Sequence, residues 1–508
     1  VNALVPYDLF APSLDIWLKQ LLHIPNNQEK TECYVNQAFA LATSCENILE
    51  VGDNELQSAG AFTMEAYVAQ RLVNLITNPS KLSIDEKRIN FYINQYESKK
   101  CFNLNSLQKE AIFGAIKHRF LIINGGAGVG KTTLLDALYS VFHKLDIIPV
   151  QVALAGKAAK RMAEATNQEA YTIARFIRNF NAKDYEGRQL VIVVDESSMV
   201  DLPSMYRLLR CVPNSAHVIM LGDIGQLPPV DFGLVFHELV PMHDIPKITL
   251  TEVRRQDRLS NIPAISAAIR NGVLPTFSYD DVVHIDINGT NAIQRRAVSI
   301  YLEKPDETQI ICATAKMVND INKRCVAFNK SKPLRVFIEE VNRYLDTEFK
   351  LHDKVMCCSN LYDHDLMNGS TGHICQVYNV MKILKNDDND ESLTSFGKIL
   401  WDDGIEREIS LDIINALRHA YAMTIHKSQG SQFKQVIIVL DKAPNIDRTM
   451  CYTAITRAVE NVYLIGPLNI LSQALTHESA SKRNVDLGHK VKALLIQAMA
   501  DSPLAAER

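Results

Sequence analysis

A chain of 508 residues exceeds one ordinary hydrophobic core and predicts two to four domains. Its hydrophobic share of 47% and charged share of 22% are those of a soluble globular protein, and no run reaches the roughly eighteen apolar residues of a membrane span. The formal net charge of −4 argues against a protein that coats duplex nucleic acid, while a narrow single-strand track needs only local positive charge. The opening Val1-Asn2-Ala3-Leu4 has no basic leader followed by an apolar core, so nothing points to secretion. It also lacks an initiator Met, consistent with a start inside a longer product. Ten scattered cysteines, without C-x-x-C spacing, read as reduced thiols of a cytoplasmic protein.

In chain order, residues 1–100 show helical spacing, first at Leu14, Trp17, Leu18, Leu21 and Leu22. A second run is Ala66, Val68, Ala69, Leu72, Val73, Leu75 and Ile76, and together they predict a small helical domain with the Trp17 stripe as core. An apolar strand at 120–124 then leads into Gly125, Gly126, Ala127, Gly128, Val129, Gly130, Lys131, Thr132 and Thr133. This fits G-x-x-x-x-G-K-[ST], and Leu134, Leu135, Ala137 and Leu138 continue it as a helix. Strand, glycine loop and helix are the context in which backbone N–H groups turn inward around phosphate oxygens. Lys131 is expected to reach the β- and γ-phosphates of ATP, and the Thr132 hydroxyl to bind Mg²⁺.

Residues 190–194 form a second apolar strand that ends in Asp195 and Glu196. The carboxyl end of a parallel strand faces the ligand, so Asp195 suits Mg²⁺ and Glu196 suits orienting and deprotonating a water. A third strand at 218–221 runs into Gly222-Asp223-Ile224-Gly225-Gln226-Leu227-Pro228-Pro229-Val230. Gln226 there can sense a γ-phosphate, although composition alone would favour a surface turn. Further along, 309–314, 435–440 and 462–466 read as buried strands, and 335–415 switches to β-type patterning with turn signals at Asn368-Gly369 and Asp402-Asp403-Gly404. The acidic run 387–391 reads as a solvated loop.

The blocks DESSM and GDxxQLPPV resemble motifs II and III of the superfamily 1B helicases, in particular the RecD-like branch. Others agree in order: 104–111 with Gln108, expected from the resemblance to read adenine; 156–162 with Lys157, Lys160 and Arg161, similar to motif Ia; and 250–256, similar to motif IV. Residues 422–431 with Thr424 and His426 resemble motif V, and 452–458 resembles motif VI. The resemblance implies that Arg255 and Arg457 stabilise charge on the transferred phosphoryl group, with Arg254 competing for the first of these roles. It also implies that Lys157, Lys160, Arg161, Thr424 and His426 contact single-stranded DNA. Four positions depart from the family pattern: Leu154-Ala155 replaces Pro-Thr, Ala174 replaces a histidine, and Gln432 replaces a glutamate. These suggest altered DNA contacts and nucleotide affinity with an intact catalytic set.

The expected architecture is α/β: two RecA-like P-loop NTPase lobes, a helical N-terminal domain and an SH3-like β insertion in the second lobe. The expected boundaries are 1–100 for a partner-docking helical domain, 101–247 for the first lobe, 248–334 and 416–508 for the second lobe, and 335–415 for the insertion. Residues 179–189 hold either a strand-splitting pin or a plain loop. The resemblance implies an ATP- and Mg²⁺-dependent 5′–3′ DNA helicase acting on single strands and duplex ends. It further implies the alpha (RecD) subunit of an exonuclease V complex, partnered by larger helicase and nuclease subunits of a RecBCD-type assembly and without a membrane. A stand-alone RecD-like helicase, or a DNA-stimulated ATPase clamp without strand separation, are the alternatives.

Overall fold

The structure, a computed structural model, describes residues 5–6, 48–50, 55–78, 80, 82, 84–252, 260–277, 279–338, 342–386, 389–441, 446–478, 483 and 485–501. The chain divides into two compact units, Val1–Leu154 with Met162–Arg254 and Ser479–Arg508, and Ala155–Arg161 with Arg255–Glu478. Among the described residues every cysteine is a free thiol, and no helix is long and apolar enough to cross a membrane.

The first unit begins with three short strands, β1 (Val5–Pro6), β2 (Ile48–Glu50) and β3 (Glu55–Ser58), in which β3 pairs antiparallel with both neighbours. Its main sheet comprises β4 (Phe120–Gly125), β5 (Ile147–Ala153), β6 (Ala170–Thr172), β7 (Gln189–Asp195), β8 (His217–Gly222) and β9 (Lys247–Leu250). All are parallel, in the order β6-β5-β7-β8-β4-β9. Near-continuous apolar runs such as Val191–Val194 are what a sheet covered on both faces requires, and every residue of β4 and β8 is buried.

Three expectations change here. The helix Ala59–Thr77 is present, but it does not build a separate domain: Val68, Ala69, Leu72, Val73 and Leu75 join one core with Ile192, Val194 and Met220 of the sheet. The Leu14–Leu22 stripe lies outside the described residues. Residues 479–508, expected in the second lobe, belong to the first unit, because helix Leu487–Ala500 buries Leu487, Val491 and Leu495 in that same core. Their spacing of four makes one apolar stripe, and Lys490 fixes it by bonding to Glu65 at 2.8 Å and Asp486 at 2.5 Å. Finally β9, expected to open the second lobe, pairs with β4 at the edge of the first sheet.

The second unit holds a five-stranded parallel sheet of β10 (Val282–Ile285), β11 (Thr308–Cys312), β19 (Ala422–Thr424), β20 (Phe433–Val439) and β21 (Ala458–Ile465), ordered β10-β21-β20-β11-β19. Between β11 and β19 the chain forms a β body with its own core around Phe349, Val355, Phe396, Ile399, Trp401 and Leu417. Its strands are β12 (Pro333–Ile338) paired with β13 (Arg343–Lys350), and a sheet of β14 (Lys354–Cys357), β15 (Thr371–Asn386), β16 (Asn389–Trp401), β17 (Glu406–Glu408) and β18 (Leu417–His419). The body thus runs a few residues past the expected 335–415 at both ends. Of the acidic run 387–391, residues 387 and 388 lie outside the described residues and Asn389 already opens β16.

Asp353 fastens this body to the parallel sheet. Fully buried, it accepts from Tyr421 Oη at 2.7 Å, Asn329 Nδ2 at 2.6 Å and Lys350 N at 2.7 Å, and lies 3.1 Å from His419 Nε2. Burial opposes the charge, yet these donors together hold the carboxyl below its usual range. Residues 179–189 form no β-hairpin: a 3-10 turn, Ala182–Tyr185, stacks Tyr185 on Phe180 with ring centroids 5.4 Å apart.

Replacing Leu72 by Ala removes a side chain at the centre of the first core and should cost about 3 kcal/mol. Hydrogen exchange read at β7 amides checks whether that loss is shared: unchanged protection there would mean that helix Ala59–Thr77 folds on its own.

Candidate functional site

Chemistry in the first unit gathers where β4, β7 and β8 end. The loop after β4 turns through left-handed glycines, Gly128 at φ +79° and Gly130 at φ +81°, before helix Lys131–Lys144 begins. At Gly130 a Cβ would stand 2.7 Å from Gln108 Nε2, so glycine is required by both backbone and space. No side chain caps the start of that helix. Its first-turn N–H groups and positive end therefore suit an anion. Lys131 turns its ammonium back across the loop and donates to Gly125 O at 2.7 Å. Thr132 is exposed.

Gln108 and Asn105 form a capping box at the start of helix Ser106–Lys117. Asn105 Oδ1 accepts from Gln108 N at 2.7 Å, and Gln108 Oε1 accepts from Asn105 N at 3.0 Å. The remaining amide nitrogen of Gln108 donates to Gly130 O at 3.3 Å. Both ends of this buried side chain are thus used within the protein, and its observed task is to hold the loop. Immediately before it in the chain lies a polar cleft of about 420 Å³ lined by Asn94, Glu97, Ser98, Cys101, Phe102 and Asn103, which no sequence motif disclosed.

β7 delivers Asp195 and Glu196. Asp195 Oδ1 accepts from Glu196 N at 2.8 Å, and Glu196 adopts φ +48°, a left-handed conformation that disfavours a side chain. Its Oε2 is buried with no hydrogen-bond partner. A carboxylate oxygen in that state is costly, and such groups collect at functional sites. β8 lies directly between β7 and β4. The turn it feeds is built from its own backbone: Asp223 Oδ1 accepts from Gly225 N at 3.0 Å, and Asp223 O accepts from Gln226 N at 3.0 Å. Ile224 N donates to Asn124 Oδ1 at 3.2 Å, which joins the turn to β4. Arg483 donates to Pro229 O at 2.6 Å and so holds the far side. Beneath the turn, Phe236 fills the space that a Cβ on Gly222 would enter, and burial holds His237 near pKa 4. His217, at the start of β8, is likewise lowered to about 4 by burial. Lys131, Thr132, Asp195, Glu196 and Gln226 are therefore all placed in one unit.

The second unit carries the other expected residues. Arg255 and Arg254 lie outside the described residues. Arg457 is buried, with Nε on Thr453 O at 3.0 Å and its terminal nitrogens on Ser431 O at 3.4 Å and Thr456 Oγ1 at 3.2 Å. The segment Ala155–Arg161 meets the 425–431 stretch here: Arg161 donates to Gly430 O at 2.7 Å, and a Cβ on Gly430 would lie 3.2 Å from that of Ala158. Thr424 caps helix Ile425–Ser428 by accepting from Lys427 N at 3.3 Å, and His426 is exposed beside it. Lys157 is largely buried, and Lys160, though exposed, is ion-paired. Lys157 Nζ donates to Thr371 Oγ1 at 3.2 Å and lies 3.7 Å from Asp402, while Lys160 pairs with Asp403 at 2.9 Å. Burial lowers the Lys157 pKa, with Asp402 opposing the shift. A turn signal at 402–404 was legible in the sequence, but nothing local marked its acids as lysine partners. Among the described residues no His, Cys, Asp or Glu cluster has the makings of a metal site built by protein alone.

Comparison with known proteins gives two family matches, an AAA domain over residues 103–286 and a UvrD-like helicase C-terminal domain over residues 419–465. The ATP-dependent RecD2 DNA helicase of Deinococcus radiodurans is 28% identical over 389 residues, covering 74% of this chain and 51% of that protein. This chain therefore spans about half the length of that relative. The RecBCD enzyme subunit RecD of Haemophilus influenzae is 27% identical over 474 residues, covering 75% and 71%. A solved structure of two coordinating Pif1 helicases at forked duplex DNA matches with a TM-score of 0.50 and 18% identity, covering 77% of this chain and 98% of that one, a likeness of fold.

Two outcomes follow from this geometry. Gly130→Ala should abolish nucleotide binding in a fluorescent-nucleotide titration while the protein stays folded, because only the loop and the end of the Gln108 side chain must shift. The folded pKa values of His217 and His237 lie below the ordinary value near 6.5, so their contribution is complete above that value and lost as pH falls toward 4. Each should cost up to about 3 kcal/mol over that window. Unfolding midpoints at pH 7 and pH 4.5 check this, with a His217→Asn/His237→Asn variant expected to fall less steeply than the unaltered protein.

Proposed function

Because this chain belongs to the RecD-like helicase family, we propose that it is an ATP-driven motor that moves 5′ to 3′ along single-stranded DNA and separates duplex ends. The observation that carries the reading is the partnerless buried Oε2 of Glu196, at the carboxyl end of a strand in the same sheet as the Lys131 loop.

In this reading Lys131 binds the β- and γ-phosphates, and Gly125 to Thr133 line them with backbone N–H groups. The Thr132 hydroxyl and Asp195 hold Mg²⁺, whose chemistry is to offset phosphate charge. Glu196 orients the attacking water and takes its proton, for which an unpaired oxygen is suited. Gln226 reports the γ-phosphate, braced through Asn124 on one side and Arg483 on the other. Arg255 and Arg457 supply the arginine charge of phosphoryl transfer. Gln108 acts on the nucleotide through the loop that it holds, and the neighbouring 94–103 cleft takes the base. Lys157, Lys160, Arg161, Thr424 and His426 form the single-strand contacts. That Ala155–Arg161 and the 425–431 stretch pack together supports one continuous DNA surface. By analogy with the RecBCD enzyme subunits it matches, the chain works as the RecD subunit of an exonuclease V-type complex beside larger helicase and nuclease partners.

The decisive assay is ATP hydrolysis with and without single-stranded DNA. DNA should stimulate turnover, Lys131→Ala should abolish it, and Glu196→Gln should lower kcat by about 10²–10⁴-fold with nucleotide still bound. Turnover indifferent to DNA would sink the motor reading. Duplexes with a 5′ or a 3′ tail then test direction: only the 5′-tailed one should be unwound. Gel filtration tests assembly, and a fully active monomer that ignores candidate partners would overturn the subunit assignment.

A further inference from the structure

The acidic turn between β16 and β17 plays no part in the proposed motor, yet it occupies two of its expected DNA contacts. The turn is firmly shaped: Gly404 sits at φ +76°, its N donates to Trp401 O at 2.9 Å, and Ile405 N donates to Asp403 Oδ1 at 3.0 Å. Asp402 N donates to Thr371 O at 2.8 Å, and the Asp402 carboxylate accepts from the Thr371 hydroxyl. That carboxylate stands 3.7 Å from Lys157 Nζ, and Asp403 stands 2.9 Å from Lys160 Nζ. Two lysines three residues apart share one face of a helix, and two successive carboxylates meet them. Each acid offers a lysine what a DNA backbone phosphate would offer, a monoanionic group of paired oxygens.

We propose that Asp402 and Asp403 act as a built-in phosphate mimic, an autoinhibitory contact that single-stranded DNA must displace from Lys157 and Lys160. The inference rests on the DNA-motor reading above. The two pairs differ in how readily they open. Asp402 is 52% exposed and lies at the loose distance of 3.7 Å, while Lys157 is 19% exposed. The long spacing and the exposed acid make this the looser of the two ion pairs, although Lys157 keeps its bond to Thr371. Asp403 is also held by Arg407 at 2.8 Å, so it keeps a cation when Lys160 leaves. Lys157 therefore goes first. Moving a lysine from a carboxylate to DNA breaks one ion pair as it forms another, which lowers affinity relative to an unpaired lysine. A simple brace for the β body would behave oppositely, because weakening it would disorder the DNA surface.

The test is an anisotropy titration of fluorescein-labelled oligothymidylate against the full chain, at several NaCl concentrations. Asp402→Asn keeps the volume and the acceptor for Thr371 while removing the charge. It should tighten binding by about 3–10-fold at low salt, the size of one weak ion pair no longer broken on binding. Asp402→Ala should reproduce the gain, and the gain should vanish in a Lys157→Ala background. If the unaltered chain binds DNA and neither Asp402 variant binds more tightly at equal melting temperature, the mimic is overturned and the motor reading stands. Binding by Asp402→Asn alone would support the mimic in its strongest form. If no form binds, both the motor reading and the mimic fall.

Discussion

Parallel pairing of β7, β8 and β4 is the constraint from which the rest of the first unit follows. Strands that run the same way must all leave the sheet on the same edge, so the loops carrying Lys131, Glu196 and Gln226 have one place to meet. The ladder registers fix them further, with Asn124 opposite Gly222 and Val194 opposite Met220. Asn124 is the detail that converts proximity into connection, since its side chain bonds across to Ile224 in the neighbouring turn. Strain at Glu196 is tolerable only because this frame is buried and over-determined.

How much of this was legible depends on the range of the interaction that decides it. The glycine loop is read from nine adjacent residues, and its left-handed turns at Gly128 and Gly130 are the conformations those glycines serve. The β7 and β8 strands announce themselves by unbroken apolar runs, and the helix Ala59–Thr77 by its period. What the pattern could not give is the destination of an apolar stripe: Leu72 and Val491 are equally hydrophobic wherever they pack, and only the fold shows that both complete the first core. The same holds for charge. Lys160 looks like any exposed helix lysine until Asp403 is found beside it, 243 positions on by difference of their numbers. The expected finger Arg255 and the Trp17 stripe fall outside the described residues, so there the reading stands on sequence alone.

Within the second unit the β body is joined by polar rather than apolar means. Asp353 collects a phenol, an amide and a backbone N–H, with an imidazole at hydrogen-bonding distance, and these groups come from three stretches of chain, at 329, 350 and 419–421. A buried carboxylate with its lone pairs filled is directional in a way that an apolar contact is not, because a small rotation would leave a charge unpaired.

The helix Leu487–Ala500 has a consequence for how the molecule is made. Its Leu487, Val491 and Leu495 complete a core begun by Ala59–Thr77, although the entire second unit is encoded between them. On a ribosome the first unit therefore cannot close when its own sheet has emerged. The part of the early helix that the Leu487–Ala500 helix covers stays open until residue 495 has been synthesised, a non-local closure that slows folding and leaves that strip open to chaperones in the interval.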